Sequence, residues 1–232
     1  MKTLPSKEER NWSKIGIIVV GVAFAVLFVG TYVLTILTGT VFAPLIKNGD
    51  TVVLDVTIRD SENRPILTTS QDVYNEGRGL GYPVFFAQRF QVVANQTYNE
   101  TLIGVDAFNP RVSSQWVTYG IFGPEMDMIS AGVVGMKVGE KKAIDLTSLF
   151  GTTRTMTIEE YESLVGNFSR AQPGDMVPLA FSDQPVIPVD GADPVLSYKW
   201  RTMEVVDKTA ENVTISYWYA TADITVVEKP RQ

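Results

Sequence analysis

The chain has 232 residues, 45% of them hydrophobic and 20% charged, with a net charge of -6, the composition of a globular protein with one ordinary core or two small ones. It contains no cysteine and no histidine, which excludes disulfides, thiol nucleophiles, thiolate metal sites and serine-histidine, cysteine-histidine or zincin chemistry. Carboxylate chemistry, hard-cation binding or a function without a protein nucleophile remain.

Residues 1–14 carry Lys2, Lys7, Arg10 and Lys14 against Glu8 and Glu9, and 15–46 contain no Asp, Glu, Lys or Arg. An apolar run of this length predicts a transmembrane helix and short linker over 15–46, since about 20 apolar residues cross a hydrocarbon core of about 30 Å. The cationic flank predicts a cytoplasmic tail over 1–14, hence a single-pass cell-membrane protein with its C-terminal part extracytoplasmic. Four outer asparagines, Asn95, Asn99, Asn167 and Asn212, begin Asn-x-Ser/Thr triplets and are candidate glycosylation sites. The outer part is acidic, which makes nucleic acid an unsuitable partner.

From Lys47 onward strands dominate. The β-branched stretch 50–58 predicts a strand, Asp60-Ser61-Glu62-Asn63 a turn, and the following residues a return strand. Residues 71–118, with Gly77, Gly79 and Gly81 and an apolar run over 84–93, read as an inserted surface excursion containing a hairpin. A short helix is expected over 127–134, a glycine-bounded turn over 135–139 with Val138 pointing into the core, and a strand over 141–146 that buries Ile144 and Leu146. Glu159, Glu160 and Glu162, and Asp183 with Asp190 and Asp193, lack the spacing of a calcium loop, so no metal site is expected and the acids read as solvated faces. Tyr217-Trp218-Tyr219 reads as part of a strand packed on a core face.

The segment SAGVVGMKVGEKKAIDL, Ser130 to Leu146, resembles the FKBP-type peptidyl-prolyl isomerases, where a short helix, a G-M-x-V-G-E turn and a central strand follow one another. Residues 49–69 are similar to that family's opening hairpin. Thr155 to Tyr161, residues 173–177, Lys199 to Tyr219 and Ala222 to Lys229 resemble the insert-in-flap domain and return strand of SlyD-like long forms.

The resemblance implies an α+β, mostly β fold: an FKBP-like antiparallel half-barrel with a short helix, over 47–154 plus 220–232, and a small β-rich insert-in-flap-like domain over 155–219. By family position the substrate pocket would be lined by Val56, Ile66, Leu67, Met126, Ile129, Phe150 and Ala222. Val56 stands at a tyrosine of the family, Ile66 and Ala222 at phenylalanines, Leu67 at the aspartate, Ile129 at the aromatic or leucine floor, and Phe150 at a hydroxyl-bearing tyrosine. Isomerisation needs no nucleophile or cofactor, because an imide held twisted in an apolar cleft loses part of its ~18–20 kcal/mol barrier. Two functions are implied. One is a membrane-anchored isomerase and chaperone with a degenerate site, acting on unfolded or proline-containing polypeptides. The other is a non-catalytic accessory subunit on the outer face of a membrane complex.

Overall fold

The computed structural model describes residues 22–31, 45–149, 151, 153–182 and 198–230. Two units, 1–44 and 45–232, are compact separately. Within the first, 22–31 form a helix, α1, about 15 Å long at 1.5 Å per residue. The transmembrane helix expected over 15–46 is corrected here: among the described residues no helix is long and apolar enough to cross a membrane. Residues 1–21 and 32–44 lie outside the described residues, as do Phe150, Asp183, Asp190 and Asp193.

The second unit is mostly β, a curled half-barrel sheet. In chain order its elements are β1 (Thr51–Arg59), β2 (Pro65–Thr68), α2 (Gln71–Gly79), β3 (Phe85–Ala87), β4 (Phe90–Val93), β5 (Leu102–Phe108), β6 (Val117–Phe122), α3 (Gly123–Gly132), β7 (Lys141–Asp145), β8 (Thr153–Thr157), α4 (Ile158–Leu164), β9 (Met176–Ser182), β10 (Tyr198–Lys208), β11 (Asn212–Ser216) and β12 (Thr221–Glu228). All twelve strands join one sheet, in the order β7-β12-β1-β2-β3-β5-β6-β10-β11-β8, with β4 on β1 and β9 on β10.

The expected half-barrel is present but not wholly antiparallel, and the stretch expected as an insert, 155–219, forms a second lobe that has its own core but shares the sheet of the rest, the first lobe. The pairs β2–β3 and β6–β10 run parallel, and the second lobe continues the first lobe's sheet through β10. Lys199 and Trp200 pair with β6 and also with β9, so those two strands lie on opposite edges of β10. The larger core is built on β1, β12, β5, β6 and α3, and includes Leu54, Ile58, Phe85, Ile121, Leu146 and Val226. The smaller gathers Met156, Tyr161, Phe168, Leu179, Met203, Val205, Val213 and Ile215 around β8–β11 and α4.

Strand β1 shows why these residues fold as they do. Val52, Leu54, Val56 and Ile58 are buried while the residues between them, Thr57 apart, are less so, the period-two burial of a sheet with one face on a core. The hairpin of β5 with β6 runs past the end of the excursion 71–118, to Phe122, and the excursion opens with a helix capped by Ser70, whose Oγ accepts from the Val73 N–H. The short helix begins at Gly123, four residues before its expected start, with Pro124 in its first turn and Glu125 accepting from the Phe122 N–H; a side chain at 123 would not fit, since a Cβ would lie 2.5 Å from Glu100 O and 3.0 Å from Tyr98 O. In the turn that follows, Gly135 and Gly139 adopt φ of 80° and 85°. Val138 is 41% exposed and Met136 fills the core instead, a correction of the inward Val138. Residues 158–164, which begin inside the stretch Thr155 to Tyr161 likened to the insert-in-flap domain, form α4, started by a capping box of Thr157 and Glu160. Strand β11 ends at Ser216, so Tyr217-Trp218-Tyr219 lies beyond it.

One buried ion pair joins the lobes. Arg201 on β10 and Glu125 on α3 are both fully buried. Arg201 Nη1 donates to Glu125 Oε2 at 3.0 Å and Gly120 O at 3.0 Å, Nη2 to Glu125 Oε1 at 2.5 Å and Tyr217 O at 2.6 Å, and Nε to Tyr217 O at 2.9 Å. All five guanidinium hydrogens are thereby used. Glu125 Oε2 also accepts from the Phe122 N–H, and the Phe122 and Tyr219 rings each lie 4.1 Å from the guanidinium carbon. Beside the pair the Tyr219 hydroxyl donates to Thr202 O at 2.9 Å, so its bond with the Tyr119 hydroxyl has Tyr119 as donor. A second tie runs from the β1–β2 turn, where Arg64 bonds Asp60, Gly174 O and Glu204.

Removing one partner strands a buried charge. Arg201→Leu is expected to lower stability by about 3–5 kcal/mol, measured by urea unfolding. Burial pushes the Tyr119 hydroxyl up to about 12 from 10.0, with Arg201 opposing. A folded value above the unfolded one means that the unfolded chain loses its proton first as pH rises, so stability is full below about pH 10 and falls between pH 10 and 12. Tyr119→Phe is expected to flatten that fall, read as unfolding midpoints across the alkaline range; a fall of unchanged slope would assign it elsewhere.

Candidate functional site

At the family-assigned pocket the described side chains are taken up by the core. Val56, Ile66, Leu67, Met126, Ile129 and Ala222 are each 2% exposed or less, and all belong to one hydrophobic cluster. The sheet brings three of them together: Ile58 lies across from Leu67 on one side and from Ala222 on the other, with Val56 one pleat away on the same face. Helix α3 adds Met126 and Ile129. Phe150 lies outside the described residues.

The opposite face of β1 carries an open groove of about 670 Å³. Register fixes its floor. Asp55 lies across from Thr225 and Thr57 from Asp223, and β7 sets Ala143 beside Asp223 and Lys141 beside Thr225. Thr69, Ser70 and Val73, from the junction of β2 with α2, also line the groove.

Its two carboxylates are paired within the protein. Arg89 grips Asp55 with Nε at 2.7 Å and Nη2 at 3.0 Å, and the Thr69 hydroxyl donates to the same carboxylate at 3.1 Å. Arg59 Nε donates to Asp223 at 2.9 Å. The hydrogen bond to Asp55 holds the Arg89 guanidinium above its ordinary range. Lys142, whose neighbour across the sheet is the inward Ile224, turns its ammonium to Gly132 O at the end of α3. Each carboxylate here is held by an arginine.

Two aromatic groups interrupt the surface elsewhere. Phe86 and Phe108 face each other across β3 and β5, flanked by Tyr74 at 5.4 Å and by Trp116 at 6.3 and 6.1 Å; Trp116 is 47% exposed. Phe122, Tyr217 and Trp218 form a second group, with centroids 5.0–6.0 Å apart. Of the sequon asparagines, Asn95, Asn99 and Asn167 are exposed and Asn212 is half-buried. Asn95 holds a positive φ of 59°, and Asn167 Oδ1 accepts from Ser169 N at 2.9 Å and Oγ at 2.6 Å.

Sequence reasoning missed Arg201, Glu125 and the Asp55–Arg89 pair. The first two carried no clear signal, since each has other charges close by in sequence, Asp127 after Glu125 and Lys199 and Glu204 around Arg201. Arg89 is brought to Asp55 only by folding. Compared with known proteins, the chain matches no family model and no curated protein.

Leu67→Asp is expected to cost about 3 kcal/mol or more in urea unfolding, because it buries a carboxylate without a partner. An open cleft at Leu67 would hold the change within about 0.5 kcal/mol.

Proposed function

We propose that this chain is a non-catalytic, FKBP-like accessory protein that works on the outer face of a cell membrane and docks its folded unit on a partner polypeptide, such as a subunit of a membrane complex. The observation that carries this reading is the burial of all six described pocket positions in one core. Rotamase chemistry needs an apolar cleft into which a proline ring can enter and lose its water. Here aliphatic side chains occupy that space. The competing reading, an isomerase and chaperone acting on exported proteins, rests on the same resemblance and requires the cleft open, so the accessory reading is the better supported.

The location is supported by the uncharged run 15–46, the cationic residues ahead of it and the four Asn-x-Ser/Thr triplets. The groove suits docking, since its carboxylates are already matched by Arg89 and Arg59 and lose little on meeting another polypeptide.

A proline-limited refolding assay with the full chain tests this. The slow phase of the substrate is expected to keep its uncatalysed time of tens to hundreds of seconds. A tenfold acceleration that scales with the concentration of the chain overturns the accessory reading.

A further inference from the structure

Strand β10 belongs to both hydrophobic cores. Trp200 packs against the first, while Met203 and Val205 are members of the second. Arg201 lies on the same pleat face as Met203 and Val205 and across from Leu179 of the second core, yet its guanidinium is bound by Glu125 of α3, whose Met126 and Ile129 belong to the first. The direct strand pairing between the lobes is short, Lys199 with Thr118 and Trp200 with Tyr119.

We infer that the Arg201–Glu125 pair is a latch that makes the two lobes open and unfold as one unit, so that the second lobe is held fixed on the half-barrel and does not move as a flap. Three observations support the latch. The pair is fully buried, so parting the lobes exposes or strands two charges at once. Every guanidinium hydrogen is bonded, three of the five to the backbone at Gly120 and Tyr217, so the arginine cannot follow one lobe without breaking bonds to the other. Lastly, Arg64 in the β1–β2 turn reaches Gly174 O at 2.7 Å and Glu204 at 3.2 Å, a second tie between the lobes that is only slightly exposed. The latch does not depend on whether the chain docks on a partner: a flapless isomerase and a rigid accessory protein would both carry it.

Native-state hydrogen exchange on the full chain tests it, with a mild lesion placed in the second core alone. Ile215→Val removes one methylene from a residue of that core, an opening change of about fivefold. With the latch intact, amides of β1 and β12 in the first lobe are expected to exchange faster by the same factor as those of β11, because both lobes open together. The lesion is then repeated in the double replacement Arg201→Met with Glu125→Met, which removes both charges and leaves none stranded. There the increase is expected in β8, β9 and β11 only. Acceleration confined to the second lobe in the otherwise native chain overturns the latch. So does acceleration of both lobes in the double replacement, which would assign the coupling to the sheet and the Arg64 tie. The first arm stands by itself should the double replacement fail to fold.

Discussion

The structure depends on how a charge is kept inside it. An arginine without water is tolerable only with its donors satisfied and a carboxylate nearby, and Arg201 has both. Burial alone would lower its proton affinity, but Glu125 and the two tyrosines outweigh that and raise it. Meeting these demands fixes much else. Glu125 must sit in the first turn of α3, where its Oε2 also takes the Phe122 N–H. Gly120 and Tyr217 must offer their carbonyls inward, and the tyrosine hydroxyls must bond each other because burial leaves them few other partners. The ends of β6 and β11, the start of α3 and the middle of β10 are thereby set against one another.

The alternation along β1 decides what kind of site this protein has. A residue at an even position from Val52 to Ile58 faces the core, and Asp55 faces the groove. The family-assigned positions on this strand and its neighbours fall on the inner face. Filled there with valine, isoleucine, leucine and alanine, they gain about 1.5–3 kcal/mol for each large side chain withdrawn from water. The outer face carries the open groove, with hydroxyls, two arginine-held carboxylates and two lysines.

Much of the framework was legible in the sequence. The β-branched run at 51–58, the turn at 60–63, the glycines at 135 and 139 and the strand after them all act through local chemistry, and the chain places β1, a turn and β7 there. The failures have a different origin. The start of α3 did carry a local signal, Pro124 in the first turn and Glu125 three residues after Phe122, whereas the need for glycine at 123 comes from the backbone at Tyr98 and Glu100, a contact between segments. Met136 and Val138 are both apolar and two residues apart, so they share a face in an extended strand; the bend between Gly135 and Gly139 breaks that rule, and one of the two goes outside. The parallel pairing of β6 with β10 spans some eighty residues and only two positions, too short to leave a mark in composition. The candidate site was legible only in part. The positions were found by their neighbours in sequence, but whether valine, isoleucine and leucine line a cleft or fill it depends on the elements that close over them.

A filled pocket and a fixed second lobe bear on each other. A flap is useful when it closes on a substrate, and closure needs a hinge whose two states differ little in energy. Here the hinge region holds a buried ion pair, so any opened state strands two charges and lies several kcal/mol above the closed one. With the six described pocket positions filled by core side chains, the proposed latch leaves the second lobe as a rigid extension of the sheet. Such a rigid body presents its outer surfaces in one fixed geometry, and a partner that meets them loses no binding energy to ordering them.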